Sequence, residues 1–188
     1  KRPGFGEADL VQPEGGNPRG SYACTLNVTD VCTGWTETLA LPGTCVSARA
    51  SVRAVRTKAQ RFVFAALHAT RIRAHLPVAL RGIDSDNGEE FINDQLWRYC
   101  DHEQITFTRG RVGRKNDNPF VEGKNWSVVR RLGGYGRYDT QRQVDQLNAL
   151  MERPLFAALQ RVKDAPSCGV SLIRESLSPC DQTDCQST

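Results

Sequence analysis

No apolar run in this 188-residue chain approaches the ~18 residues that a membrane span requires, and no signal peptide opens it. The seven cysteines, Cys24, Cys32, Cys45, Cys100, Cys168, Cys180 and Cys185, contain no C-x-x-C pair. His68, His75 and His102 stand at no finger spacing to any of them, which argues against a zinc site and leaves thiols as the expectation. No internal repeat is evident. Position 1 is Lys and not Met, which points to a fragment. Asn27-Val28-Thr29 and Asn125-Trp126-Ser127 match a glycosylation sequon, a signal with meaning only in a secreted protein.

What is present reads as a globular fold. Hydrophobic residues make up 39% and charged residues 24%, and the length suits one domain with a full core. The formal net charge of +4 is modest, but its distribution is uneven. Arg109, Arg111, Arg114, Lys115, Lys124, Arg130, Arg131 and Arg137 face only Asp117 and Glu122 within residues 109–137. Such a cluster marks either a polyanion-binding surface or a solvated helix face.

Phe5 to Gln12 reads as a strand carrying Asp9, followed by the turn cluster Gly15 to Gly20. Tyr22, Cys24, Leu26 and Val28 alternate with Ala23, Thr25 and Asn27, a strand period of two. A third strand is expected over Gly34 to Leu41. Val55, Ala59, Phe62, Val63, Ala66 and Leu67 lie on one helical face, and Pro77 stops that helix. Val78 to Asp84 reads as a buried strand. Glu89 to Asp101 reads as a helix with Phe91, Ile92, Leu96, Trp97 and Cys100 as its apolar positions, and Ile105 and Phe107 mark a last short strand. Gly110 to Asn118 is polar and basic. A helix is expected from Pro119 to Leu132, ended by Gly133-Gly134, and another over Thr140 to Lys163, with Val144, Leu147, Leu150 and Met151 as its stripe.

Three acids organise this layout. Asp9 sits mid-strand, and Asp86 lies in Ser85-Asp86-Asn87-Gly88 just past a strand end, where Gly88 lets the backbone turn. Glu122 lies in the first turn of its helix, with 35 residues between it and Asp86. Taken singly, Asp9 reads as a solvent-facing strand residue and Glu122 as an acid favoured by the helix dipole. Asp84 is the rival to Asp86. A calcium loop from Asp84 fails, because glycine stands fifth and Gln95 stands where a bidentate glutamate is required. Together the three acids suit phosphodiester chemistry, because a few carboxylates and substrate phosphate suffice to hold paired Mg²⁺ ions. Without metal, close carboxylates repel and at least one pKa is expected to rise.

The triad at this spacing resembles the DDE signature of transposases and retroviral integrases. The text around it, Phe5-Gly6-Glu7-Ala8-Asp9-Leu10-Val11, Thr33-Gly34-Trp35-Thr36-Glu37, Ile105-Thr106-Phe107-Thr108-Arg109 and Val121-Glu122-Gly123-Lys124-Asn125-Trp126, is similar to the integrase-type catalytic domain of bacterial insertion-sequence transposases. The resemblance implies an α/β, ribonuclease H-like fold, a mixed five-stranded sheet with helices on both faces. It implies a catalytic core over residues 1–153 with a loop insertion at 42–52; residues 154–188 do not match the family and their polar composition reads as a divergent, partly disordered tail. The resemblance implies two Mg²⁺ or Mn²⁺ ions held by Asp9, Asp86 and Glu122, which catalyse 3′-end cleavage and strand transfer during DNA transposition. DNA, as element ends and target, is the implied partner, contacted by Lys115, Asn118, Lys124, Asn125, Arg130 and Arg131. At least a dimer is implied, in the bacterial cytoplasm at the nucleoid, with no membrane association. Trp35 and Trp126 read as core packing in preference to base stacking. Gly113 and Gly123 depart from the family pattern. The alternatives are an inactive DNA-binding remnant of a transposase and a ribonuclease H-like nuclease.

Overall fold

A computed structural model of the chain describes residues 2–17, 20–42, 52–68, 71–86, 88, 91, 94–111 and 117–152. The expected insertion, apart from Pro42 and Val52, and the tail over 154–188 lie outside the described residues, as do Gly113 and Lys115. Five strands form one mixed sheet: β1 (Phe5–Val11), β2 (Cys24–Asp30), β3 (Thr36–Leu41), β4 (Gly82–Ser85) and β5 (Thr106–Arg109). Their order is β3-β2-β1-β4-β5. β2 is antiparallel to β1 and β3, and β4 is parallel to β1 and β5, so β2 alone runs against the rest. The helices are α1 (Val52–His68), α2 (Arg71–His75), α3 (Asp94–His102), α4 (Pro119–Lys124), a π-helical turn (Asn125–Arg130), α5 (Arg131–Gly133) and α6 (Gln141–Met151). This is the mixed α/β, ribonuclease H-like architecture. No helix among the described residues is long and apolar enough to cross a membrane.

The two-residue period of the strands sorts side chains to opposite faces. Ala8 and Leu10 of β1, Cys24, Leu26 and Val28 of β2, and Leu41 of β3 join Val63, Ala66 and Leu67 of α1 and Leu96, Tyr99 and Cys100 of α3 in the larger core. Each fully buried aliphatic side chain there contributes ~1.5–3 kcal/mol, which makes this layer the main source of stability. The other face is smaller and more polar. Ala23 and Ala40 pack against Val128, Leu132, Val144, Leu147 and Met151. Beside them Glu7, Thr25, Asn27, Thr29 and Thr38 are buried. Buried polar groups cost stability unless hydrogen-bonded; here Glu7, Asn27 and Thr29 make side-chain hydrogen bonds, while the Thr38 hydroxyl has none among the described residues.

Two further devices fix the frame. The Asp30 carboxylate accepts from the Gly4 amide at 2.7 Å, the Thr33 amide at 2.8 Å and the Thr33 hydroxyl at 2.6 Å, locking the β2–β3 turn to the start of β1. Helix α6 begins with a capping box, in which Thr140 and Gln143 satisfy each other's backbone amides.

Some expectations shift. β4 starts at Gly82 and not at Val78, because Leu76 and Leu80 are the buried anchors and Pro77 and Ala79 between them face solvent. Trp97 is 59% exposed. The buried positions after Leu96 are Tyr99 and Cys100, three and four residues on, which leaves Trp97 off the apolar stripe. Trp126, expected in the core, is 61% exposed, with the Arg131 guanidinium 5.5 Å from its ring centre. Cys24 is disulfide-bonded and not a thiol. Of the helix expected over Thr140 to Lys163, Gln141–Met151 is helical and residues 153–163 lie outside the described residues.

Candidate active site

The register of the two central parallel strands assembles the first part of the site. Glu7 of β1 pairs with Asp84 of β4, and Ala8 with Ser85. Continuing that register by one residue sets Asp9 beside Asp86, and alternation puts Glu7, Asp9, Asp84 and Asp86 on the face that α4 covers. The Asp86 pKa is raised above the usual carboxylate value. Partial desolvation is the larger cause and the neighbouring Asp9 charge adds to it, while the Gly88 amide, donating to Asp86 Oδ1 at 2.9 Å, opposes it. The Asp9 charge therefore reaches Asp86.

Helix α4 brings the rest. Asn118 is 7% exposed. In the amide orientation that satisfies its surroundings, its nitrogen donates to Asp84 Oδ2 at 3.1 Å and its oxygen accepts from the Asp86 amide at 3.2 Å. Seven residues on, Asn125 Nδ2 donates to Asp9 Oδ2 at 2.5 Å, and Asn125 Oδ1 accepts from Asn27 Nδ2 at 2.7 Å. Asn118, Glu122 and Asn125 are spaced i, i+4, i+7, one stripe of a helix. The stripe's ends touch Asp86 and Asp9, and Glu122 stands between them, exposed to solvent.

Asp9 Oδ1 also accepts from the Leu10 amide at 2.7 Å. Among the described residues, no group of three or more His, Cys, Asp or Glu side chains is close enough to hold a metal ion. The donor chemistry nonetheless fits a hard divalent cation. The repulsion that Asp9 exerts on Asp86 is relieved by a positive charge, and oxygen donors are what Mg²⁺ and Mn²⁺ prefer.

Asp84 and Asp86 differ in their partners. Thr108 Oγ1 donates to Asp84 Oδ1 at 2.7 Å and Asn118 takes the other oxygen, so Asp84 is an internal anchor. The residue that sequence reasoning passed over is Glu7. It is 5% exposed, and its Oε2 accepts from the Phe120 amide at 2.8 Å and the Val121 amide at 2.9 Å. The available signal was its position two residues before Asp9 on a strand, hence on the same face. Asn27, fully buried beneath Asn125, was also missed; its Oδ1 has no hydrogen-bond partner among the described residues.

The basic residues divide by what they touch. Arg111 makes a bidentate pair with Asp117, at 3.1 and 2.8 Å. Arg137 donates to the carbonyls of Asn17 and Ser21, lies over Tyr22 and pairs with Asp139, so it staples the loop after β1. Arg130 reaches the Gln12 carbonyl at 3.4 Å and lies over Tyr135, while Arg131 is exposed beside Trp126. Lys124 is half-buried. Asn118 and Asn125, expected at DNA, have their amides engaged within the protein.

No family model matches the chain. An uncharacterized protein of Sinorhizobium fredii, y4rM, is 40% identical over 135 residues, which are 72% of this chain and 34% of that protein. The chain thus spans about a third of the length of this curated relative. Among solved structures, the catalytic core domain of BIV integrase aligns with a TM-score of 0.49 and 16% identity, covering 92% of this chain and 95% of that one.

Proposed function

We propose that this chain is the catalytic core of a metal-dependent polynucleotidyl transferase of the DDE transposase kind, acting on DNA ends. The observation that supports this best is the Asn118–Glu122–Asn125 stripe, which brackets Glu122 between side chains touching the Asp86 backbone and the Asp9 carboxylate. Asp9, Asp86 and Glu122 would hold Mg²⁺ or Mn²⁺, and when bound the ions supply charge neutralisation at the phosphate and activation of the attacking oxygen.

The chain's own residues do the positioning. Asn125 orients Asp9 by taking one carboxylate oxygen, and Asn118 fastens the start of α4 to the end of β4. Lys124, Arg130 and Arg131 hold the DNA backbone by charge, in a manner indifferent to base sequence. Water attacks the phosphodiester at the element end, a new P–O bond forms, and the P–O3′ bond breaks to leave a free 3′-hydroxyl. That hydroxyl attacks a target phosphodiester in the same way, displacing a second 3′-oxygen with no covalent protein intermediate. In-line alignment and electrostatic stabilisation lower the barrier. Joining two ends calls for at least a dimer.

A second reading is a DNA-binding remnant with idle acids. It is favoured by the lack of a three-acid group among the described residues and by the engagement of both Asp9 oxygens. A branched DNA that mimics the strand-transfer product separates the readings. The transferase reverses it in Mn²⁺, and Glu122→Gln lowers the rate at least ~100-fold, the scale of losing a group that acts in the transition state. Activity that survives Glu122→Gln overturns the assignment. DNA binding without any reversal favours the remnant, and cleavage without joining favours a nuclease.

A further inference from the structure

We infer that Glu7 is a positioning residue of the site, a carboxylate on β1 that caps α4 from outside the helix and so sets where Glu122 stands. The inference rests on the proposed reading of Asp9, Asp86 and Glu122 as the metal-holding acids.

The first residues of any helix have backbone N–H groups with no partner inside it. Here positions 119–122 have an account. Pro119 has no N–H. The amides of Phe120 and Val121 both donate to Glu7 Oε2, at 2.8 and 2.9 Å, and the Glu122 amide donates to the Asn118 carbonyl at 3.2 Å. Asn118, the residue placed to cap the helix with its own side chain, makes no such bond, because its amide is spent on Asp84 and the Asp86 backbone. The cap has passed to a strand residue 113 positions away in sequence. A negative group at a helix N-terminus is also favoured by the aligned peptide dipoles. Charge-assisted bonds of this kind are about twice as strong as neutral ones.

Two consequences follow from where Glu7 sits. It fixes the two amides immediately before Glu122 in the chain, leaving little backbone freedom at that acid. It also lies two residues from Asp9 on one face of one strand, roughly 6.5–7 Å along it. β1 therefore presents one carboxylate to hold the helix and the next to the reaction. Asn125, bonded to Asp9, is the second tether of the same helix to the same strand. Between the two tethers, the backbone that carries Glu122 is held against β1.

The test compares Glu7→Ala, which removes the acceptor, with Glu7→Gln, which keeps an acceptor oxygen, in the full chain. Two readouts are taken. Amide exchange at Phe120 and Val121 in the metal-free protein should speed up about ten-fold or more in Glu7→Ala and stay within about three-fold of the wild type in Glu7→Gln. Mn²⁺ affinity should fall about 10–100-fold in Glu7→Ala, the range for residues that orient metal ligands, and recover in Glu7→Gln, while DNA affinity without metal stays constant. If Glu7→Ala does not fold, Glu7→Asp replaces it: the carboxylate is drawn back by one methylene and the same two losses are expected. Unchanged exchange overturns the cap. Faster exchange with unchanged Mn²⁺ affinity, or an equal loss of DNA affinity, reduces Glu7 to a structural group and overturns the positioning role. A wild-type chain that binds no Mn²⁺ sinks the metal site and positioning together, while the exchange arm still judges the cap itself.

Discussion

Asp86 carries the clearest electrostatic signature of the site. Its pKa is raised because it is partly desolvated and stands beside the Asp9 charge. A group that holds its proton more tightly folded than unfolded adds stability as pH falls through its folded pKa and subtracts it above. At neutral pH without metal, Asp86 is therefore a liability. Asp86→Asn removes that charge and retains an acceptor for the Gly88 amide, so the melting temperature of the metal-free protein should rise. The same variant should lose most of the thermal shift that millimolar Mn²⁺ gives the wild type. Asp30 behaves in the opposite way. Burial alone would raise its pKa, but bonds from the Thr33 hydroxyl and from the Thr33, Gly4 and Phe5 amides outweigh that and lower it. Its contribution is present above the ordinary aspartate range and is lost as pH falls through the lowered value. Asp30→Asn should cost about 1.5–3 kcal/mol in urea denaturation at neutral pH, the range for hydrogen bonds to a charged group.

At the scale of elements, the segment from Pro119 to Gly133 carries most of the candidate site. It is α-helical to Lys124, π-helical over Asn125–Arg130 and α-helical again over Arg131–Gly133. π-Turns of this kind are frequent at functional sites, and this one begins at the residue bonded to both Asp9 and Asn27. Asn125→Ala leaves Asn27 buried with neither amide atom partnered, at a cost of about 1–3 kcal/mol by denaturation. Gly123, whose added Cβ would meet nothing within 4 Å, is a different matter. Gly123→Ala should stabilise the chain by roughly 0.5–1 kcal/mol, because glycine is a poor helix former and the space is open. Strand β2 was legible in the sequence because the alternation at Tyr22 to Val28 parts side chains to two faces, with Tyr22, Cys24, Leu26 and Val28 in the larger core and Ala23 in the smaller; the helix stripe at Val144, Leu147 and Met151 is likewise buried, with Leu150 at its edge. The π-turn was not legible, since nothing local to Asn125 announces it. Trp97 and Trp126 misled for a related reason: hydrophobicity suggested burial, while helical phase put them outside. Glu7 was hidden because a lone strand carboxylate carries no trace of amides 113 positions on.

For the whole molecule, folding engages part of the basic run within the protein. The run of basic residues suggested one polyanion surface, but Arg111 is neutralised by Asp117 and Arg137 is spent on the loop after β1. Among the described residues, Lys124, Arg130 and Arg131 lie in or beside the π-turn, with the exposed rings of Trp126 and Tyr135. Arg131→Ala should weaken DNA binding and lower the slope of log affinity against log salt by about one, whereas Arg137→Ala should change stability more than that slope. The account depends most on Asp9, Asp86 and Glu122 closing on a divalent cation. Crystals of the chain grown with Mn²⁺ and measured at the manganese absorption edge test this directly. The account predicts an anomalous peak between the Asp9 and Asp86 carboxylates with the Glu122 carboxylate turned in to coordinate. A saturated crystal with no peak there, or with Glu122 still facing solvent away from the ion, would contradict it.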